Sequence, residues 1–481
     1  MMTKFKVVSL LVLPLVAAGC RTNPTLGFDD VQRTVGSRAG QSIEWPRTRA
    51  ENDKVEAAVS QVLQQPLAAE KAVQVAFLNN RSLRATLEEI GISRAELVQA
   101  GLLRNPDFGA SFRFPDRPPS AAKTEFSLAG DVLDLLLLPL KKKVASLQFE
   151  QTKLRVSHDI LQLAAEVKTA FYTVQARQQL LKRVQAIVEV NEAGVDLSTR
   201  QHKAGNITDL ALANQQASFQ QARLEWGKTQ TQLRVDREHL NRLLGLWGTN
   251  TQWRVEDELP PIPNQEIPFE KLESFAIQQR LDLAAAQQQV ALVGRALSLR
   301  TNTRYLPAAI TLGVDTEQEP DRQRVTGPIL NLELPIFDRG QGAIARLQAQ
   351  YRQAQWQLEA LATNVRADVR QARDTMIATR DLTEFYGKIY LPQRIRIVNE
   401  TLLQYNAMQI GTFELIAAKE RELSTEREYV EAWRDYWIAR AELEKALGGK
   451  LPGETKPASP TTPSAPPDKS QDSEHQQHHQ P

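Results

Sequence analysis

The chain contains one cysteine in 481 residues, so no disulfide bond can form within it and packing alone must hold the fold. Aromatic residues make up only 6% of the sequence, whereas alanine, leucine, glutamine, glutamate and arginine dominate long stretches, a composition typical of long helices and coiled coils. The 59 basic and 57 acidic side chains nearly balance, which argues against a nucleic-acid partner. Beyond the N-terminus no apolar run reaches the roughly 18 residues of a membrane-spanning helix, so a membrane-spanning part would have to consist of strands.

The single cysteine follows an N-terminal stretch with the order of a secretory signal peptide. Lys4 and Lys6 precede an apolar run, Val7–Val16, and three small residues precede Cys20. The run is too short to span a bilayer, which takes roughly 20 residues. The stretch resembles a bacterial lipoprotein signal. The resemblance implies cleavage directly before Cys20, a diacylglycerol on its thiol and, because arginine rather than aspartate follows, an outer-membrane destination.

The rest of the sequence consists of two similar halves. AFLNNRSLRA, which ends at Ala85, aligns with AIQQRLDLAA, which ends at Ala285, and KAGNITDL around Gly205 aligns with MQIGTFEL around Gly411. Each half is therefore expected to be one copy of the same structural unit. The predicted order is a signal peptide, a lipidated extended segment along the outside, the first unit, a linker, the second unit and a disordered Pro- and His-containing tail, at residues 1–19, 20–65, 66–250, 251–268, 269–449 and 450–481.

Each unit carries a heptad pattern, which predicts long supercoiled helices. In the first unit apolar residues recur every seven positions from Ile160 to Val195. The surrounding stretch, 144–203, contains no proline and is expected to form a helix about 90 Å long. Its counterpart, 341–405, is interrupted by Pro392, which should kink it. Beside each long helix the pattern predicts two shorter helices stacked end to end, at about 66–103, 208–244, 269–303 and 413–447.

Between the helices, four segments alternate apolar and polar residues, as strands with one apolar face do. They are DFGASFRF, FSLAGDV, AAITLGVD and TGPILNLEL, at about 107–133 and 308–334. Pro335, Asp338 and Gly340 form the predicted corner after the last strand, where the proline ends the ladder and the aspartate caps the next helix. Four strands are too few for a closed membrane barrel, which needs at least about eight, so several chains would have to share one.

These features together resemble the TolC-type outer-membrane factors. A lipidated cysteine and two homologous halves, each ordered helix, strand, strand, long helix, turn and helix, match the plan of that family, and GPILNLELPIFDRGQ, residues 327–341, is the most specific matching phrase. The resemblance covers about residues 66–449. It implies a mainly α-helical homotrimer whose chains share a 12-stranded membrane β-barrel and a 12-helix coiled-coil tunnel through the periplasm. It also implies a passive exit duct, joined by a periplasmic adaptor to the inner-membrane pump of a tripartite efflux or secretion system.

The turns at the far ends of the long helices are the predicted docking tips. Gly205 and Gly411 interrupt the heptads where each long helix must reverse, and glycine permits a tight turn. In the resembled family these turns meet the adaptor and close like an iris, and Pro392 is a candidate hinge for the opening. The residues to which the resemblance carries the tip role are His202, Lys203, Ala204, Gly205, Asn206, Ile207, Met408, Gln409, Ile410, Gly411, Thr412 and Phe413.

A second function class stays open. A lipid-anchored periplasmic coiled-coil scaffold that conducts nothing would explain Cys20 and the heptads, but not four alternating strands at matching places in both halves. An enzyme is not indicated, because no set of nucleophile, base and acid stands out, and no cofactor is expected beyond the covalent lipid. HQQHH in the tail, residues 475–479, could bind a metal ion, but no metal site is predicted. The exported cargo, the pump class and the adaptor are not readable from the sequence.

Overall fold

The structure, a computed structural model, describes residues 26–114, 116–117, 122–263, 270–307, 309–319, 321 and 323–452. The described chain is mostly helical, and its strands form one antiparallel sheet in the order β1-β2-β3-β4, so the predicted combination of long helices with four strands is confirmed. The signal peptide, Cys20 and residues 453–481 of the tail lie outside the described residues. The elements are α1 (Phe28–Ala39), α2 (Arg49–Leu63), α3 (Ala69–Asn79), α4 (Arg81–Gln99), β1 (Asp107–Arg113), β2 (Lys123–Asp131), α5 (Val132–Lys203), α6 (Asp209–Leu244), α7 (Leu272–Gln279), α8 (Leu281–Asn302), β3 (Ile310–Gln318), β4 (Arg324–Leu332), α9 (Gln341–Phe385), α10 (Leu391–Asn406) and α11 (Thr412–Leu447).

The helix predicted over 66–103 is two helices, because the chain breaks at Asn80. The backbone there is extended (φ −67°, ψ 116°), and the Asn80 side chain accepts a hydrogen bond from the Leu83 N–H, which caps α4. The second unit breaks at the equivalent position, Arg280, with similar backbone angles (φ −65°, ψ 125°). Because the break recurs where the two halves align, it supports the internal repeat.

The long helix of the first unit begins at Val132 rather than near residue 144. Its 72 residues extend over about 108 Å. Asp131 starts it, because the carboxylate accepts hydrogen bonds from the N–H groups of Leu133 and Asp134 (3.0 and 3.3 Å). The predicted helix began after Pro139, whereas the observed helix contains this proline. The first unit therefore passes from strand to helix without a corner loop.

The shorter helices meet end to end beside the long ones, as predicted. The Asn79 side-chain amide donates hydrogen bonds to the carbonyls of Leu244 and Gly245 (3.0 and 2.7 Å). These bonds satisfy carbonyls at the end of α6 that have no partner within that helix. In the second unit the end of α11, at Gly448, packs against Arg280 in the same way.

The long elements lie side by side in the order α6, α5, α11 and then α9 with α10. In the middle of α5 the heptad residues Ile160, Val167 and Val174 are fully buried, as the pattern predicts. Toward the far end the later heptad residues Leu181, Val188 and Val195 are only half-buried, and Val184 and Asn191 are buried instead. Within the described residues, no helix combines the length and the apolar character needed to cross a membrane.

The segment 20–65, predicted to be extended, forms two helices in its described part. Val31 and Val35, which lie four residues apart, are buried in α1, and a matching pair is buried in α2. The Lys153 ammonium contacts the Asp30 carboxylate at 2.7 Å and ties α1 to α5. The start of α2 is fixed by a reciprocal capping box, because the side chain and N–H of its N-cap each bond to the third helical residue.

Two segments near the unit boundaries pack more closely than predicted. Trp253 and Leu259, in the predicted linker, are each only 2% exposed, so the described part of the linker contributes to the core. Leu451 is fully buried, and the Lys450 N–H donates a hydrogen bond to the Arg38 carbonyl (2.9 Å). The packed chain therefore extends past residue 450, where the tail was predicted to begin.

Candidate functional site

The sheet has one apolar and one polar face, in register across all four strands. On the apolar face Phe108 lies opposite Leu128, Leu128 opposite Val314, and Val314 opposite Pro328. Neighbouring residues of a strand point to opposite faces. The next row therefore lies on the other face and consists of Gly109, Ser127, Asp315 and Gly327.

The apolar face is exposed in the single chain. Phe108 is 70% exposed, Leu128 55% and Leu330 58%, which makes a contiguous apolar surface of the kind that a membrane or a partner covers. The polar face carries more carboxylates than cations, and Lys123 is paired with Glu317. The charged residues of this face are Asp107, Glu125, Asp131, Asp315 and Glu317 against Arg113 and Lys123.

The outer strands, β1 and β4, pair on one side only within the described chain. The central pairing, β2 with β3, joins the two units into one sheet. An open strand edge in lipid would leave backbone N–H and C=O groups unsatisfied. If the sheet lies in a membrane, both edges must therefore pair with strands of other chains.

The corner between β4 and α9 differs from the prediction. β4 ends at Leu332, so Pro335 lies beyond the ladder. Asp338 does not cap α9, because its carboxylate accepts the Gly340 N–H (2.7 Å) inside the turn and Gly340 itself is the N-cap. Gly340 has a left-handed φ of 73°, and a Cβ there would lie 2.7 Å from the Arg300 Nε. The left-handed conformation thus favours glycine at this position, and the Arg300 guanidinium would have to shift to admit a side chain there.

The turn between α5 and α6 is a Schellman cap, a common helix ending with a left-handed residue. The Asn206 N–H donates to the Gln201 carbonyl and the Gly205 N–H to the His202 carbonyl, both at 2.9 Å. Gly205 has φ 74° and takes the left-handed conformation for which the sequence suggested it.

The turn between α10 and α11 places a methionine, not a glycine, in the left-handed position. Met408 has φ 56° and the same pair of capping hydrogen bonds. Gly411 has φ −85° and is the N-cap of α11, so the prediction that it makes the reversal is wrong. The two turns have the same length, which makes Met408 the equivalent of Gly205 and Gly411 the equivalent of Thr208, the N-cap of α6. Matching glycine to glycine hid this pairing, and the equal turn lengths that reveal it are visible only in the structure.

Both turns lie at one end of the helical bundle. Near that end Gly194 of α5 faces both α6 and Ile416 of α11. The Met408 side chain is 93% exposed, and His202 Nε2 lies 2.7 Å from the Asp209 carboxylate across the first turn. Among the predicted tip residues, the exposed ones are Lys203, Ala204, Gly205, Asn206, Met408, Gln409 and Gly411, and the half-buried ones are His202, Ile207, Ile410, Thr412 and Phe413.

The predicted kink is a π-helical turn, Tyr386–Tyr390, directly before Pro392. Proline has no N–H, so Pro392 cannot donate to the carbonyl four residues back and the α-helical ladder is interrupted there. Gly387 fits closely under Tyr429 of α11, where a Cβ would lie 3.1 Å from the hydroxyl. The rings of Phe385, Tyr386 and Tyr390 pack on one another around the turn. Pro392 was readable from the sequence, whereas the π turn was not predicted, although Gly387 nearby was an available signal.

The described part of the chain holds no group of three or more His, Cys, Asp or Glu side chains that could bind a metal ion. HQQHH lies outside the described residues. His158 lies in a groove between α5, α9 and α11, lined by Arg280 and Asp368 among others. Burial lowers its pKa, although the carboxylates of Asp282 and Asp159 act in the opposite direction.

Comparison with known proteins agrees with this architecture. The family model described as "Outer membrane efflux protein" matches residues 142–246. The cobalt-zinc-cadmium resistance protein CzcC of Cupriavidus metallidurans is 20% identical over 389 residues, which is 80% of this chain and 90% of that protein.

Solved structures share the fold. A membrane protein from Pseudomonas aeruginosa superposes with a TM-score of 0.68 at 20% identity, over 79% of this chain and 92% of that one. The open state of the MtrE outer membrane channel of Neisseria gonorrhoeae gives a TM-score of 0.64 at 17% identity, over 79% and 89%. With its two units, its shared sheet and a long hairpin that matches the family model, the chain resembles outer membrane efflux proteins in its architecture and, over residues 142–246, in its sequence.

Proposed function

We propose that this chain is the outer-membrane duct of a tripartite efflux system, a passive conduit rather than an enzyme. The observation that carries the proposal is the two-faced sheet, whose apolar rows suit lipid and whose polar rows suit a water-filled path. The α5–α6 and α9–α11 hairpins prolong that path away from the sheet. Members of the family are outer-membrane channels that extend into the periplasm and work with adaptors and inner-membrane pumps.

The working unit of this proposal is a homotrimer, the state that channels of this family form. Three copies of the four-stranded sheet make 12 strands, which exceeds the minimum of about eight for a membrane barrel. The edge helices also carry exposed apolar side chains, such as Val235 of α6 and Trp356 of α9. Contact between α6 of one chain and α9–α10 of the next is head-to-tail, and such contacts close into a ring.

The two turns at the far end are the proposed adaptor contact. They are the parts of the bundle furthest from the sheet, and both are mainly exposed. Met408 supplies an exposed apolar side chain on a backbone held in a strained conformation, and such strain concentrates at functional positions. The π turn before Pro392 is the proposed hinge that lets the second hairpin bend when the tip opens.

The lipid on Cys20 is proposed to tether the N-terminus to the outer membrane. Gly27 packs against Phe149 of α5, which lies about 25 Å along the helix from its start at Val132. The segment between Cys20 and Gly27 can span at most about 25 Å. Cys20 can therefore lie level with Val132, where β2 ends and α5 begins. Labelled palmitate should be incorporated by the wild-type chain and not by Cys20→Ser; label in both would place the lipid elsewhere.

Conductance in a planar bilayer separates the duct from the scaffold. Purified full-length protein should insert and give stable unit currents, and native mass spectrometry in mild detergent should show a trimer. A monomer that neither inserts nor conducts would overturn the duct and favour a lipid-anchored coiled-coil scaffold. A trimer that inserts but conducts only after the tips are loosened, for example by Gly205→Met, would still support a duct with a closed tip.

A further inference from the structure

The start of α5 carries an exposed apolar turn followed by exposed lysines. Leu135 and Leu136 are 53% and 67% exposed, and Leu140 is 49% exposed. Lys142 and Lys143 follow, and both are exposed. The second unit has no helical counterpart, because α9 begins only at Gln341, and its corner loop exposes Leu334, Ile336 and Phe337 at the corresponding place.

Helical spacing puts these residues on one surface. Leu136, Leu140 and Lys143 are four and three residues apart, so they share a face of α5. Lys143 lies about 10 Å further along the axis than Leu136. The polar layer on each side of a bilayer's hydrocarbon core is about 5–8 Å thick. With Leu136 at the edge of the hydrocarbon, Lys143 reaches the level of the lipid phosphates or just beyond.

The lysines are available for a ligand of opposite charge. Lys141 pairs with Asp134, but Lys142 and Lys143 make no ion pair within the described chain. The nearest carboxylate of β2, that of Asp131, is engaged in capping α5. The exposed leucines follow the apolar face of the sheet closely along the chain, since Leu128 of β2, which lies on that face, is also exposed and α5 begins directly after β2.

Two more cationic side chains lie at other junctions between a helix and a strand, as residues 135–143 do. Arg104 is exposed between α4 and β1. Arg304 lies over the ring of Tyr305, 4.4 Å from its centroid, between α8 and β3. Leu102 and Leu306 are exposed beside them. Apolar side chains flanked by cations are typical of a surface that lies in the interface of an anionic membrane.

We propose that residues 135–143 bind anionic phospholipid at the periplasmic surface of the outer membrane, with the leucines against the acyl chains and Lys142 and Lys143 at the phosphate groups. The inference rests on the proposed function, because it requires the sheet to lie in the bilayer. It commits to a lipid rather than a protein partner, because the patch begins directly after β2, whose apolar row would face lipid in the proposed duct, and because its lysines complement anionic headgroups.

The test is lipid selectivity measured by electron paramagnetic resonance. Full-length protein is reconstituted into phosphatidylcholine vesicles that contain traces of spin-labelled phosphatidylglycerol or spin-labelled phosphatidylcholine. The wild type should immobilise phosphatidylglycerol preferentially. Lys142→Gln/Lys143→Gln should lower that preference by about fivefold or more, the factor expected for each lysine at an anionic surface. High salt should reduce the wild-type preference in the same direction.

Two matched variants define the controls. Lys142→Arg/Lys143→Arg keeps both charges and should keep the preference, and Lys54→Gln/Lys228→Gln removes two exposed lysines elsewhere and should also keep it. Flotation of the wild type with vesicles is measured first. Failure to float overturns the proposed function together with this inference. Normal flotation without a preference in the wild type, or with a preference that survives Lys142→Gln/Lys143→Gln, overturns only the lipid site.

Discussion

Met408 holds the left-handed position of the second turn, where its equivalent in the first turn is Gly205. A side chain in that conformation costs about 1–2 kcal/mol. Met408→Gly should therefore slow amide hydrogen exchange in the turn, with part of the gain offset by the freedom of glycine in the unfolded chain. It should also weaken adaptor binding by about tenfold or more, because burying a methionine contributes about 1.5–3 kcal/mol. Gly205→Met is the reciprocal control and should loosen the first turn. Unchanged adaptor affinity in Met408→Gly would remove this side chain from the contact.

His158 makes the stability of the bundle depend on pH. Burial holds the pKa of His158 below its ordinary 6.5, despite the neighbouring carboxylates of Asp282 and Asp159. The unfolded chain thus binds more protons than the folded one, and stability is lost as pH falls from about 6.5 through the folded pKa. The wild-type Tm should fall over this range, and the fall should be smaller in His158→Gln. His239→Gln, at an exposed position, is the control. Parallel Tm curves for the wild type and His158→Gln would refute the linkage.

At the scale of elements, the proposed hinge is the π turn of the second hairpin, which interrupts its long helix where α5 is continuous. Pro392→Ala restores an N–H to the helix and should make residues 384–392 more protected in hydrogen exchange. Adaptor-dependent transport should then drop severalfold while trimer formation stays normal. Pro139→Ala is a matched control, since it removes the proline inside α5. Transport and closed-state conductance that both match the wild type would exclude a hinge at this turn.

Elements with a strong periodic pattern were predictable from the sequence. The heptads located α6 and α11 within a residue or so, and the alternation of apolar and polar residues located the four strands. The errors lie where a single capping group decides. Asn80 caps α4 at the break that divides one predicted helix, and Asp131 starts α5 earlier than its proline-free stretch suggested. Such bonds leave no period in the sequence, so their positions became visible only in three dimensions.

The predictions for the N-terminal segment and for the second tip were wrong for different reasons. α1 and α2 bury only a pair of valines each, too few to form a recognisable stripe, although the Thr48 and Glu51 of the capping box were readable. At the second tip, glycine was taken as the marker of reversal, whereas the fold placed Met408 there and used Gly411 as an N-cap. The predicted functions of these tip residues stay predictions.

At the scale of the whole molecule, the described part of the single chain exposes apolar surface on the apolar rows of the sheet, on the edge helices and at the start of α5. Each place has a different cover in the proposed assembly. Lipid acyl chains cover the sheet, neighbouring subunits cover the edge helices, and the membrane interface covers the start of α5. One arrangement thus accounts for surfaces that a monomeric scaffold would leave in water.

The same arrangement turns the polar rows of the sheet toward the transport path, so the charge of these rows should determine which ions the duct prefers. Carboxylates outnumber cations there, so the duct should prefer cations, and the preference should weaken as salt screens the field. Glu125→Gln/Asp315→Asn removes two of these charges without touching the Lys123–Glu317 pair. In a salt gradient across a planar bilayer, this variant should shift the reversal potential toward zero while single-channel currents persist. Asp53→Asn/Glu56→Gln, on the exposed side of α2, should leave the potential unchanged. Wild-type selectivity in Glu125→Gln/Asp315→Asn would mean that this face does not line the path, and the orientation of the sheet in the duct would have to be reversed.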